Sequence, residues 1–256
     1  MPEGVAPRAS YDSIAHLYDV DMARNMAFDD AALYTHLAGR AGGRVLELGC
    51  GNGRILLELL RHGIDAVGVD CSACMLSQLR QKAAARGFAP KVCLMDARAL
   101  GFTDAFAMVL CPYSLITYMA GTDDAARMLA AIRGVLAPGA SVVIDAFIPR
   151  PTASGTGFSL DYRRDHGDAV LTRAKRIATV APRVNRIERR YELVAADGRL
   201  LERIETSEDV RLFAPEDLVL MLSASGFAIE QQWWDYEAGD RPAGAQFFTI
   251  SARKAH

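Results

Sequence analysis

The sequence predicts an α/β fold: a mostly parallel sheet with helices on both faces, and an antiparallel β block set in before the last helix. Three observations carry this prediction. A short apolar run, Val45 to Leu48, passes through a glycine turn (Gly49, Gly51, Gly53) into Ile55, Leu56, Leu59 and Leu60, which are spaced as on one face of a helix. A second apolar run within Asp65 to Asp70 ends on a carboxylate and is followed by helical spacing to about Arg86. From Gly155 to Phe213 the pattern changes to long alternating runs. They break at His166-Gly167-Asp168, Ala181-Pro182-Arg183 and Ala196-Asp197-Gly198, and Asp-Gly between alternating runs marks a hairpin.

The bulk composition sets bounds on this fold. A chain of 256 residues, 51% hydrophobic and 23% charged, is long and apolar enough to bury a substantial core. Continuous alternation of strand and helix signals favours one domain over 1–256. Its expected parts are a helical cap (1–40), a core (41–150), an antiparallel insertion (151–213), and a closing helix and β-hairpin (214–256). A net charge of −2 argues against an obligatory nucleic-acid partner, because phosphate contacts need an excess of Lys and Arg. Met1 to Ser10 has no apolar run of the secretory kind and no later run approaches a membrane span, so the expected location is the cytoplasm, away from membranes. Five cysteines, Cys50, Cys71, Cys74, Cys93 and Cys111, are an odd number confined to the first half, which points to reduced thiols. Cys71 and Cys74 form a Cys-x-x-Cys, but no second Cys or His pair follows at zinc spacing, so no metal is expected.

Taken in order, residues 10 to 38 read as one or two helices, from Ile14, Leu17 and Tyr18 and then Ala32, Leu33, His36 and Leu37. Val45 to Leu48 is the first strand. Glycines at a strand-to-helix turn let a ligand approach the backbone and leave N–H groups free at a helix N-terminus. A dinucleotide loop needs glycine at its sixth position, and counting from Gly49 that position is Arg54. The spacing therefore disfavours a nicotinamide oxidoreductase. Asp70 stands about 20 residues beyond the loop, where nucleotide-binding α/β folds place a carboxylate on a ribose; it also suits an N-cap of the next helix. Lys91 to Met95 is a third strand leading into Asp96-Ala97-Arg98. A fourth strand, Ala107 to Leu110, stops at Pro112, which has no N–H for the ladder. Asp123 to Leu136 is a helix, Leu136 to Ala140 a turn and Ser141 to Phe147 a fifth strand. Pro215 to Phe227 gives the last helix, and Ala228 to Tyr236 with Gln246 to Ala252 the closing strands. Arg150 to Gly157 is expected to be a mobile connection.

Glu47-Leu48-Gly49-Cys50-Gly51-Asn52-Gly53 resembles the first motif of class I S-adenosylmethionine (SAM)-dependent methyltransferases. Tyr11-Asp12-x-x-Ala15-x-x-Tyr18-Asp19 resembles the N-terminal Tyr-Asp repeat of small-molecule members, Asp96-Ala97 their adenine motif, and Leu136-x-Pro138-Gly139 their helix-closing turn. Cys111 to Met119 is similar to a Ser-x-x-x-(His or Tyr)-Leu segment of amino-sugar N,N-dimethyltransferases and glycine and sarcosine methyltransferases. Over residues 10 to 253 the resemblance implies a Rossmann-like, seven-stranded sheet ending in an antiparallel hairpin. It also implies SAM as cofactor, S-adenosylhomocysteine as product, no metal, and a small-molecule acceptor beneath the insertion. Contacts to the cofactor are implied for Tyr18, Arg24, Glu47, Gly49, Cys50, Gly51, Gly53, Asp70, Cys71, Met75, Asp96, Ala97 and Cys111, and contacts to the acceptor for Tyr118 and Tyr11. A plain docking role for the two N-terminal tyrosines stays open. Tyr118, with an unperturbed pKa near 10, suits orientation of the acceptor better than general-base work. Nitrogen is the expected acceptor atom, with an O-methyltransferase and a non-catalytic SAM-binding protein as alternatives.

One further feature is a basic stripe between Arg173 and Arg190, comprising Arg173, Lys175, Arg176, Arg183, Arg186, Arg189 and Arg190 against Glu188. Acids recur just beyond it, at Glu192, Glu202, Glu205, Glu208 and Asp209. Cross-strand pairing is therefore expected to neutralise many of these charges, with a surface for an acidic substrate or nucleic acid as the alternative.

Overall fold

A computed structural model describes residues 7–23, 28–103, 105–150 and 157–255. The chain divides into two compact units, Phe28–Pro149 with Phe213–His256, and Met1–Ala27 with Arg150–Leu212. The connection expected at Arg150 to Gly157 lies, over 151–156, outside the described residues.

The larger unit is a seven-stranded sheet. Its strands are β1 (Val45–Leu48), β2 (Ala66–Asp70), β3 (Lys91–Leu94), β4 (Phe106–Cys111), β5 (Leu136–Phe147), β10 (Phe227–Trp234) and β11 (Phe247–Lys254), in the order β10-β11-β5-β4-β1-β2-β3. β11 alone runs against its neighbours; the β1–β2, β2–β3, β1–β4 and β4–β5 pairs are parallel. The strand order reverses at β1 and β4, so the carboxyl ends of these strands border the crevice where open α/β sheets bind ligands.

Helices cover both faces because the strands are apolar on both. Leu46, Leu48, Val109 and Ile144 share one core cluster with Met128, Leu129 and Ile132 of α6 (Asp124–Val135) and Leu218 and Leu222 of α7 (Pro215–Ala224). The spacing Ala125, Met128, Leu129, Ile132 is one face of a helix, and each large side chain so buried contributes ~1.5–3 kcal/mol. On the other face α4 (Leu56–Arg61) sits so close to β2 that a Cβ on Gly68 would lie 2.8 Å from Leu56 Cδ2 and 2.7 Å from Cys50 Sγ. With strand period 2, Glu47 and Asp145 point to this second face. The same face receives Tyr34 of α3 (Asp30–Gly39).

Two local differences from expectation have simple causes. Residues 51–55 form turns, and α4 begins only at Leu56, because three left-handed glycines delay helical geometry. The turn at Ala137 to Ala140 lies inside β5 as an excursion: Leu136 pairs with Phe106 and Ser141 with Met108, and Gly139 at φ 73° takes up the slack.

The smaller unit is an antiparallel meander of β6 (Ser159–His166), β7 (Ala169–Ala181), β8 (Val184–Ala195) and β9 (Leu200–Arg211), turning where the sequence indicated. Ile14 of α1 (Pro7–Ile14) and Leu17 pack on Leu171 and Tyr191 of this sheet. Pairing neutralises most of the basic stripe. Arg176 bonds Glu188 and Arg186 bonds Asp209 bidentately, Arg190 bonds Glu205, and Arg189 reaches Glu208 diagonally. Among the described residues no helix is long and apolar enough to cross a membrane.

Candidate active site

At the carboxyl edge of β1 the chain enters the glycine loop. Gly49, Gly51 and Gly53 have φ of 65°, 52° and 95°, left-handed values that an L side chain makes costly. The space beside two of them is taken by the protein itself. A Cβ on Gly49 would lie 2.9 Å from Leu115 Cδ1, and one on Gly53 2.9 Å from Leu79 Cγ and 3.0 Å from Leu57 Cγ. At Gly51 the neighbour is the terminal methyl of Met75, at 3.3 Å.

The expected presentation of free N–H groups at a helix N-terminus needs correction. Cys50 N–H donates to the Val69 carbonyl (3.0 Å), Gly53 N–H to the Cys50 carbonyl (2.9 Å) and Gly51 N–H to Asp70 Oδ2 (2.8 Å). The loop curls back on β2 and itself, so these donors find partners before α4 starts. Asp70 also accepts from Ser72 N–H through Oδ1 (2.8 Å), while Ser72 Oγ caps α5 (Ala73–Ala85) at Met75 N–H (3.0 Å). Ser72 is thus the N-cap, and Asp70 is left as the brace between loop and helix.

Glu47, one turn of strand before the glycines, is 2% exposed. Its Oε2 has no hydrogen-bond partner among the described residues. Burial pushes its carboxyl up to about 8, against the pull of the Arg54 guanidinium. A buried oxygen without a donor costs ~1–3 kcal/mol and is rare enough to need an explanation. Arg54 itself is tied bidentately to Asp30 (2.5 and 2.7 Å) and lies over the Tyr113 ring, 5.4 Å from its centroid.

Asp96 is more engaged than its sequence position indicated. It accepts from the Arg98 guanidinium (2.6 Å to Oδ2) and from Arg98 N–H (2.8 Å), and Arg98 extends to Asp124 (3.0 Å). The Arg98 side chain holds the Asp96 carboxyl below its ordinary value despite partial burial. Ala97 is half-buried beside the core. Cys50 and Cys111 are buried and their thiols are pushed up by burial, so each offers backbone only. Cys71 is half-buried, Met75 buried, and all five cysteines are free thiols.

Beyond β4, Tyr113 and Ser114 are left-handed, at φ 55° and 59°, and lead into a 3-10 turn, Leu115–Tyr118. Such values cost about 1–3 kcal/mol in residues other than glycine and persist only where neighbours enforce them. Tyr118 is half-buried against the core. The enforcing group is Asp145, fully buried, which accepts from Tyr113 N–H (3.0 Å), Ser114 N–H (2.5 Å), Tyr34 OH (2.6 Å) and Tyr236 OH (2.8 Å). Burial raises its pKa, and the four donors oppose that rise. Sequence reading passed over Asp145, Tyr34, Tyr236 and the Asp30–Arg54 pair. The visible signal for Asp145 was a lone carboxylate in the apolar run Val142-Val143-Ile144-Asp145-Ala146, the same pattern that drew attention to Asp70.

Tyr11 and Tyr18 belong to the smaller unit, where their rings meet edge-on at 6.0 Å and pack with Ile14, Leu17, Leu171 and Tyr191. Arg24 lies outside the described residues.

Residues 45–139 match the family model described as a methyltransferase domain. The chain is 23% identical over 248 residues to the Bacillus subtilis (strain 168) protein YqeM, described as a candidate methyltransferase, covering 96% of this chain and 97% of that one. Among solved structures, a SAM-dependent methyltransferase from Clostridium acetobutylicum ATCC 824 superposes with a TM-score of 0.79 at 17% identity, over 96% of this chain and 99% of that one. The sugar N-methyltransferase KedS8 from Streptoalloteichus sp ATCC 53650 gives 0.75 at 24% identity, over 100% and 97%.

Proposed function

Because residues 45–139 are a methyltransferase domain and the sheet is that of the class I methyltransferase fold, we propose that this enzyme uses SAM to methylate a nitrogen of a small-molecule acceptor. The observation that carries the cofactor assignment is the partnerless Glu47 Oε2, buried beside Asp70 and the glycine loop. A buried carboxyl oxygen without a donor calls for an N–H, and the amino group of SAM supplies one. In this reading Asp70 receives the ribose hydroxyls. Gly49, Cys50, Gly51, Gly53, Cys71 and Cys111 line the cofactor through backbone, and Met75 packs on it. Asp96 and Ala97 face the adenine, with Arg98 sharing Asp96. Tyr18 and Arg24 complete the cofactor set.

SAM supplies an electrophilic sulfonium methyl, and the chain has to hold a nucleophile in line with it. Holding reactants in line has an intramolecular ceiling of ~7–11 kcal/mol, and no covalent intermediate is needed. A neutral amine or ring nitrogen attacks with its own lone pair, so Tyr118 and Tyr11 serve as orienting hydrogen-bond partners and not as bases. The likeness to a sugar N-methyltransferase and the Tyr118 segment both support nitrogen. Acceptor choice falls to residues 151–213; exchanging that segment changes the acceptor and leaves SAM affinity within about threefold.

The test is incubation with isotopically labelled SAM and a panel of amines, azaheterocycles and phenols, read by mass spectrometry. Label on nitrogen is the expected result. Label on phenols alone replaces this reading with O-methylation, and saturable SAM binding without transfer to any of the panel replaces it with a non-catalytic role.

A further inference from the structure

We propose that Asp145 is a positioning residue: it holds Tyr113 and Ser114 in the left-handed turn that fixes the segment Leu115–Tyr118 against the glycine loop. The inference rests on the reading above that this segment serves the acceptor. A carboxylate has about four acceptor sites and no donor. Asp145 accepts four donors: Oδ1 takes Ser114 N–H, and Oδ2 is shared by Tyr113 N–H and the tyrosine hydroxyls from α3 and from beyond β10. The tyrosines anchor the carboxylate, and the carboxylate anchors the turn.

A turn needed only to reverse the chain would use glycine or asparagine, which adopt positive φ at little cost. Here a tyrosine and a serine occupy it, so the conformation depends on the carboxylate. The turn is tied to β5 a second time, by Phe147 N–H donating to Ser114 Oγ (2.7 Å). Immediately after it, Leu115 fills the space beside Gly49, and Tyr118 follows one 3-10 turn later, with Thr117 Oγ1 bonded back to the Ser114 carbonyl (2.7 Å). Relaxing Ser114 toward negative φ would withdraw Leu115 from the glycine loop and swing Tyr118 with it. Asp145 thereby sets the spacing between the strand end that carries Tyr118 and the loop assigned to the cofactor, without touching either ligand.

The test compares Asp145→Asn, Tyr34→Phe and Tyr236→Phe, using S-adenosylhomocysteine calorimetry and turnover of the best acceptor from the panel above. Asparagine keeps the volume but offers one acceptor oxygen and turns an NH₂ donor toward other donors. The expected result is that Asp145→Asn lowers kcat by about 30- to 1000-fold, with S-adenosylhomocysteine affinity within about threefold and thermal unfolding well above the assay temperature. The two Phe variants should lower Tm but change kcat less than about fivefold. In a Tyr113→Gly/Ser114→Gly background, where positive φ needs no support, the Asp145→Asn penalty should shrink at least tenfold. An unchanged penalty there, a kcat within threefold of wild type in the single variant, or a parallel loss of S-adenosylhomocysteine affinity overturns the proposal. Should Asp145→Asn alone not fold, the same substitution in the double-glycine background takes its place. Recovery of a folded, active enzyme there is expected, and failure there also overturns the proposal. If no acceptor in the panel is methylated, backbone amide exchange decides: Tyr113 and Ser114 should exchange at least a hundredfold faster in Asp145→Asn than in wild type, and unchanged exchange rejects the role of Asp145 separately from the nitrogen-acceptor reading.

Discussion

In the seven-stranded sheet Val109, Leu110, Val143 and Ile144 are wholly withdrawn from solvent, whereas in the four-stranded sheet most residues stay half-buried or exposed and charged ones such as Arg176, Arg186 and Arg190 meet an opposite charge on the neighbouring strand. The first arrangement draws on apolar burial, which salt and pH scarcely touch. The second draws on ion pairs that are worth only ~0.2–1 kcal/mol each when exposed and are screened by salt. The smaller sheet therefore depends heavily on its few buried contacts, Leu171, Tyr191 and the Asp21–Arg173 pair. The two sheets should also respond to pH in opposite directions. In the larger, burial raises Glu47 to about 8, so its contribution is complete in acid, below its unfolded value, and is lost as pH rises through about 8. In the smaller, Arg176 and Arg186 hold Glu188 and Asp209 below their ordinary values, so their contribution is present above the unfolded pKa and lost as pH falls through the acid range.

The comparison breaks first at Arg173. Its Ala variant leaves Asp21 buried without its cation, and the loss should be about 3–5 kcal/mol by chemical denaturation, far more than for any exposed pair in the same sheet. A loss below 1 kcal/mol would mean that the smaller sheet has no buried keystone. Leu129→Ala, in the apolar stripe of α6, should cost about 2–5 kcal/mol at low and high salt alike. A strong salt dependence there would contradict the division drawn between the sheets. Glu47→Gln should raise stability by on the order of 2–4 kcal/mol at pH 9 and by little at pH 5, read from urea midpoints. An equal effect at both values would show that Glu47 is not titrating in the folded protein. The smallest effect is expected for Arg176→Ala, a slight drop in the urea midpoint at low salt that vanishes in molar salt.

The same contrast explains how much was legible in the sequence. Val45 to Leu48 and Ala66 to Asp70 were readable because a fully buried strand needs an unbroken apolar run, and the carboxylate that ends the second run was conspicuous. The meander was readable from its turns, and pairing of the basic stripe followed from the acids after it. What escaped was mostly single contacts with partners distant in sequence. Nothing around Asp96 shows that its neighbour Arg98 also reaches Asp124. Gly49 and Gly53 looked like ligand-facing positions, and only the fold brings Leu115 and Leu79 into the space beside them. Asp145 was visible as an anomaly, but its meaning lies in Tyr34 and Tyr236, about a hundred residues away on either side.

The cofactor site is tested most directly by calorimetric titration of the wild type, Asp70→Ala and Gly51→Val with SAM. Saturable binding by the wild type is predicted, weakened at least tenfold in each variant. Asp70→Ala deletes charge-assisted hydrogen bonds worth ~1.5–3 kcal/mol each, and Gly51→Val puts a branched side chain at a left-handed position where the ligand meets the backbone. A folded wild type that does not bind SAM, or two folded variants that bind it as the wild type does, would contradict the account.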